Sequence, residues 1–231
     1  MLEKFIPTKY HNKAFRLKQM LNGFYTKSYS QEGEDMVLNR YFQGKNSGFY
    51  VDIGAHHPKR FSNTYFFYKK AWCGINIDAM PGSMDQFKKT RKRDTNIEAA
   101  ISDKKSELTY YAFDEPAING FDKGVSEERI KSGQKLLFKK TIETVLLSEI
   151  LEKNIRQNQT IDFMSVDVEG NDLNVIRSNN WEKFRPEIVL IESLNKDVKN
   201  VLNEDINKFM CSINYGLIAK TINTCFYKNK G

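Results

Sequence analysis

Two short apolar runs, Phe49-Tyr-Val-Asp-Ile-Gly-Ala-His-His57 and Gly74-Ile-Asn-Ile-Asp-Ala79, place acidic residues at what read as strand ends: Asp52, followed by Gly54, and Asp78. Each run is long enough for one buried strand. The two carboxylates lie 26 positions apart, which leaves room for one crossover helix between adjacent parallel strands. A glycine at the first strand's end lets backbone approach a ligand, and a carboxylate at the second can accept from a ribose diol. The pattern points to a nucleoside-containing cofactor. No G-x-G-x-x-G accompanies it, which disfavours a dinucleotide and a nicotinamide oxidoreductase.

The spacing of apolar residues extends this start. A helix is expected over 34–43, with Glu34 and Asp35 in the first turn where negative charge is favourable. Strand 49–53, a helix near 62–70, strand 74–78 and a helix near 83–92 follow, a β-α-β-α order that favours a parallel sheet. Residues 96–102 read as a third strand and 108–113 as an excursion strand paired antiparallel near the sheet edge. Residues 114–138 are polar and broken by Pro116, Gly120, Gly124 and Gly133, so they read as a loop insertion, either a substrate cover or a passive excursion. Helix 142–153, strand 161–166, helix 171–178, strand 187–191 and one long helix over 197–213 come next. Two β runs at 216–220 and 225–228 suggest a terminal hairpin. The expected organisation is a lead-in over 1–29 and a single domain over 30–231.

At 231 residues, 40% hydrophobic and 13% aromatic, the chain can build a real core. No apolar run is long enough to span a membrane, and the charged start lacks a secretory signal's apolar core, so a cytoplasmic location is expected. Three scattered cysteines, Cys73, Cys211 and Cys225, suggest neither a disulfide framework nor a metal site. The net charge of +7 comes from pairs and triplets such as Lys69-Lys70 and Arg91-Lys92-Arg93. It fits an anionic small substrate or a solvated surface; without a nucleic-acid-binding motif, nucleic acid is disfavoured.

Four segments together resemble the FkbM-type family of S-adenosylmethionine-dependent methyltransferases. They are Tyr29-Ser-Gln-Glu-Gly-Glu-Asp35, Tyr50-Val-Asp-Ile-Gly-Ala-His-His57, Ile75-Asn-Ile-Asp-Ala-Met-Pro-Gly82 and Ile161-Asp-Phe-Met-Ser-Val-Asp-Val-Glu-Gly170. The resemblance spans about residues 28–228. It implies an α/β fold: a Rossmann-like, mostly parallel sheet with helices on both faces and a C-terminal antiparallel hairpin. The chain departs from the D-x-G-x-G of many such enzymes, carrying His56-His57-Pro58 after Gly54.

The resemblance implies S-adenosylmethionine as cofactor, with Asp78 and Ala79 at its ribose. It also implies Gly54, Ala55 and His56 along its methionine end, and Gln31 and Asn63 at its amino acid groups. Ser102 and Asp103 would lie near the adenine. Asp52 either contacts the cofactor or bonds loop amides. A hydroxyl acceptor needs its proton removed, so a base or a metal is required. The candidates are His57, Asp167 and Glu169. One of His56 and His57 touches substrate or cofactor, or both hold the loop; Asp167 and Glu169 act as base, share a divalent metal, or are structural. No metal is part of the expected set. His11 reads as surface, and Glu192 as either pocket rim or surface. The expected activity is O-methylation of a sugar or nucleotide-activated sugar for capsule or surface polysaccharide. The alternatives are a nucleic-acid or natural-product methyltransferase, or a catalytically silent scaffold.

Overall fold

The computed structural model describes residues 25–194 and 197–231, with isolated positions 13, 15, 16 and 20 upstream. His11 and most of the expected lead-in lie outside the described residues. The strands are β1 (Phe49–Ile53), β2 (Cys73–Asp78), β3 (Thr95–Glu98), β4 (Ala100–Ile101), β5 (Glu107–Phe113), β6 (Leu136–Val145), β7 (Phe163–Val166), β8 (Ile188–Glu192), β9 (Tyr215–Lys220) and β10 (Thr224–Asn229). The helices are α1 (Glu34–Tyr41), α2 (Tyr65–Lys69), α3 (Met84–Thr90), α4 (Lys123–Lys131), α5 (Leu147–Asn154), α6 (Asp172–Arg177), α7 (Val198–Val201) and α8 (Asp205–Ser212).

The main sheet has seven strands in the order β3-β2-β1-β7-β8-β10-β9. The first five are parallel, with Val51 opposite Ile75 on one side and Met164 on the other; β10 and β9 close it as the expected antiparallel hairpin. Strand alternation divides two cores. Val51, Ile53, Met164, Val189 and Ile191 pack with Leu147 and Leu151 of α5, Val175 and Ile176 of α6, Val201 of α7 and Met210 of α8. Tyr50, Phe163, Ile188 and Leu190 point the other way, onto Leu38 of α1, Phe67 of α2 and Trp72. Each fully buried large apolar side chain stabilises the fold by about 1.5–3 kcal/mol. The fold is therefore α/β and Rossmann-like, as the sequence implied.

Four stretches differ from expectation. Residues 142–145 finish β6 rather than starting a helix. β6 pairs with β5 up to Glu143 and with β4 at Thr144 and Val145, so it is already held as a strand before α5 begins at Leu147. The third strand breaks at Ala99, whose N–H turns to the Asp78 carbonyl (3.0 Å); β3 stays in the main sheet while β4 joins β6 and β5 in a second one. The stretch 114–138 is no structureless loop. It holds a 3-10 turn at Pro116–Ile118, helix α4 capped by the Asp122 carboxylate on the Val125 N–H (2.8 Å), and the start of β6. The long helix over 197–213 is two, because Glu204 is extended (φ −76°, ψ 153°) between α7 and α8. Its apolar stripe misled because Val198 and Leu202 are exposed.

One member of the Arg91-Lys92-Arg93 cluster is not surface. Arg91 is fully buried, its guanidinium against the rings of Tyr68, Tyr65 and Tyr50 and its Nε 3.5 Å from Asp94. Asp94 in turn accepts from the Tyr50 hydroxyl (2.6 Å), the Gly74 N–H (3.0 Å) and the Asn76 amide (3.0 Å), which ties α3's exit to β1 and β2.

Candidate active site

Strand order runs β1-β2-β3 one way and β7-β8 the other, so the connections diverge between β1 and β7. In open α/β sheets, ligands bind outside the carboxyl ends at such a divergence. A cavity of about 430 Å³ lies there, within the usual range for small-molecule sites. Gly54 is what permits the two strand ends to approach. Its φ is +78°, and a Cβ on it would fall 1.6 Å from the Asp167 carbonyl oxygen.

At the β2 end, Asp78 is buried and lines the cavity. Its two oxygens accept from the His56 and Met80 N–H groups, both at 2.8 Å, which fixes the carboxylate's orientation. Burial raises its pKa, and the two backbone bonds oppose that shift. Ala79 lines the cavity beside it, whereas Ala55 packs with Met84 and Phe87 instead.

The loop after β1 separates the adjacent histidines. His56 takes a positive φ of 52° and lines the cavity, and its buried Nε2 has no hydrogen-bond partner among the described residues. His57 does not line the cavity. Its Nδ1 accepts from the Lys59 (3.1 Å) and Arg60 (2.9 Å) N–H groups and holds the loop. Burial, then the Arg60 charge, lowers both histidine pKa values, so both rings are neutral at pH 7. Further along, Asn63 lines the cavity and donates to the Ser165 hydroxyl (3.0 Å). Thr64 donates to Asp52 (2.7 Å) and accepts from Arg91. Asp52 therefore lies behind the cavity wall, and burial pushes its pKa up to about 6.

Three acids gather on the opposite wall. Oxygens of Asp167, Glu169 and Glu192 lie within 4.8 Å of one another, close enough to share a divalent cation. Asp167 is exposed and lines the cavity, with Glu169 and Glu192 half-buried beside it. Burial and then the neighbouring carboxylates raise the pKa of both Asp167 and Glu192. Glu169 has a positive φ of 55° and accepts from Arg129 of α4 (2.5 Å). Asp172 holds this turn by accepting from the Val168 and Gly170 N–H groups, each at 3.2 Å; burial pushes its pKa up to about 6.

The segment that reads as a loop insertion covers the cavity. Arg60 donates through both terminal nitrogens to Glu115 (2.9 and 3.0 Å), and this pairing holds the Glu115 pKa down at about 2. Arg129 also donates to the Ile118 carbonyl (2.6 Å). Behind them Asn119 accepts from the Phe113 N–H (2.7 Å) and its amide reaches the Met80 sulfur (3.5 Å). Ala99, Ile101 and Tyr110 complete that wall. Ser102 is buried against Val145, and neither it nor Asp103 lines the cavity.

At the far rim Gln31 lines the cavity. The segment carrying it is set by Asp35, which accepts from Ser28 (2.7 Å), the Tyr29 N–H (2.7 Å) and Ser30 (2.8 Å). Glu32 accepts from the Asn223 N–H (2.8 Å) and amide (2.6 Å).

Of the residues named from sequence, Gln31, Gly54, His56, Asn63, Asp78, Ala79, Asp167 and Glu169 meet at the cavity; Asp52, Ala55, His57, Ser102 and Asp103 do not line it. Sequence reasoning left Glu192 undecided, although it carries the strand-ending acid signal that identified Asp78. Arg60, Tyr110, Glu115, Asn119 and Arg129 carried no usable signal. They lie in irregular segments, in the second sheet or, for Arg129, in a helix with no apolar stripe.

Among solved structures, three methyltransferases resemble the chain at low similarity. A TehB-like SAM-dependent methyltransferase from Corynebacterium glutamicum is 9% identical, TM-score 0.42, with 97% of this chain and 100% of that one covered. A 1,6-didemethyltoxoflavin-N1-methyltransferase from Burkholderia thailandensis, solved with its substrate and S-adenosylhomocysteine, is 8% identical, TM-score 0.44, covering 98% and 91%. An O-methyltransferase from Bacillus cereus in complex with SAH is 8% identical, TM-score 0.40, covering 96% and 91%. No curated protein matches the chain. The model of the methyltransferase FkbM domain matches residues 52–217, and the chain belongs to that family of methyltransferases.

Proposed function

We propose that residues 30–231 form one S-adenosylmethionine-dependent O-methyltransferase domain. Its acceptor is a hydroxyl of a sugar or nucleotide-activated sugar, in cytoplasmic assembly of capsule or surface polysaccharide. The observation that carries the cofactor reading is Asp78, a carboxylate oriented by two backbone N–H groups at the β2 end and facing the cavity where strand order diverges. Ribose hydroxyls would donate to it. Ala99, Ile101, Met80 and Tyr110 offer an adenine wall, and Asn63 and Gln31 suit the amino acid end.

When bound, S-adenosylmethionine supplies a methyl group on a sulfonium sulfur, open to in-line attack by an acceptor oxygen. The chain's residues position that oxygen and take its proton. Asp167 is suited to the base role: it faces the cavity, and its raised pKa brings it nearer the hydroxyl's than an ordinary carboxylate. Glu192 beside it would stabilise the transferred proton. A second reading gives the base role to His56, favoured by its neutral ring and unpartnered Nε2. His57 would hold the loop and Glu169 would anchor Arg129.

The test is incubation with methyl-labelled S-adenosylmethionine and a panel of sugars and nucleotide-sugars, read by mass spectrometry. A gain of one methyl on a hydroxyl supports the reading. Transfer only to nucleic acid, or to no member of the panel, would overturn it.

A further inference from the structure

The cavity wall is acidic, opposite in sign to the chain. Glu32, Glu34, Asp78, Glu115, Asp167, Glu169 and Glu192 face it together with two basic residues, Arg60 and Arg129, a formal charge of −5 in a chain of +7. Neither arginine is free to receive an anion: Arg60 is spent on Glu115 and Arg129 on Glu169.

The carboxylates differ in what they already bind. Asp78 accepts from two backbone N–H groups. Glu32 is held by Asn223, and Glu34 accepts from the Glu32 N–H (2.9 Å) and from Thr221 and Thr224 (each 3.3 Å). Asp167 and Glu192 alone in this set take no hydrogen bond from the described residues, and both face the cavity with oxygens within 4.8 Å of one another. Asp167 is exposed and Glu192 half-buried, both toward the cavity, so a group that fills the space beside them and excludes solvent must itself supply N–H or O–H groups. One proton shared between the pair still leaves the wall negative, and the sulfonium offsets a single charge.

Resting on the methyltransferase reading, we propose that the acceptor enters as a donor-rich, non-anionic group, a polyol or amino-polyol gripped by Asp167 and Glu192. Any phosphate it carries stays outside the cavity. A nucleotide-activated sugar would then present only its sugar ring, with the diphosphate on the lysine-rich exterior, and a short sugar phosphate would be excluded.

The experiment uses the full chain saturated with S-adenosylhomocysteine and titrated with matched monosaccharide triplets. Glucose, glucosamine and glucose 1-phosphate form one triplet; the galactose and mannose counterparts form the others. In at least one triplet the neutral or amino member is expected to bind, and its phosphate to bind about tenfold more weakly or worse, because like charges repel at close range. Asp167→Asn, which removes the charge the pair carries, should shrink that ratio. A phosphate that binds as well as its neutral partner, with or without added Mg²⁺, overturns the proposal, as does failure of every neutral and amino member to bind. Failure of S-adenosylhomocysteine itself to bind would instead sink the cofactor reading beneath it.

Discussion

The Cα of Gly54 lies so close to the Asp167 main chain that a side-chain carbon could not be added without meeting its carbonyl oxygen at 1.6 Å. This contact sets the spacing between the first parallel strand's exit and the acid-bearing turn after β7. Gly54→Ala should cost about 3–5 kcal/mol, combining positive-φ strain with a backbone clash. Chemical denaturation of the variant measures the loss. A stability within experimental error of the wild type would show that the strand ends tolerate separation.

Asp78→Asn keeps the size of the side chain but removes the charge and one acceptor direction. Binding of S-adenosylhomocysteine should weaken by about 2–4 kcal/mol, or roughly 30- to 1000-fold, as expected for losing charge-assisted hydrogen bonds. Calorimetric titration reads the change, and circular dichroism should remain that of the wild type.

Asp167→Asn should lower kcat by about 10²–10⁴ with little change in S-adenosylhomocysteine affinity, the signature of a lost base. The base works ionised, and burial raises its pKa, so kcat should climb with pH through a value above the ordinary carboxylate range. Burial and the neighbouring acids push the Glu192 pKa up to about 10, so it already carries its proton and Glu192→Gln should leave the rising limb in place. If His56→Gln instead abolishes turnover and Asp167→Asn does not, the imidazole is the base.

Asp172 gives a stability signature with a definite sign. Its pKa is raised from 3.8 to about 6 in the fold, so the folded state binds the proton more tightly. The protonated form is favoured, and stability falls as pH rises from about 4 to 6 and stays lower above. The shift corresponds to about 3 kcal/mol at neutral pH. Asp172→Asn mimics the protonated form, so its melting temperature relative to wild type should be higher at pH 7.5 than at pH 4.5. Equal differences at both pH values would show that the carboxylate is not desolvated.

The sheet was legible because buried parallel strands are short apolar runs with acids at their ends, and Asp52, Asp78 and Asp167 mark three of them. The cover was not. Helix α4 buries only Ser126 among its residues, so no apolar stripe announced it, and its start is marked by the single capping Asp122. The 142–145 error has a related cause: Ile142 and Val145 suit a helical face as well as an alternating strand, and pairing with β5 and β4 decides the matter. At the site, the β-strand ends were readable, but the histidine pair was not resolved. Backbone φ at His56, set by the Asp78 bond to its N–H, turns that ring to the cavity and leaves His57 to the loop. Charge was the least transferable signal, since Arg91 belongs to the interior and the cavity is acidic despite a basic chain.

The most direct measurement is a crystal structure of the chain with S-adenosylhomocysteine. The ribose hydroxyls are expected within hydrogen-bonding distance of the Asp78 carboxylate, with the sulfur directed toward Asp167. A nucleoside lodged elsewhere, or seated in the cavity with its ribose away from Asp78, would contradict the assignment.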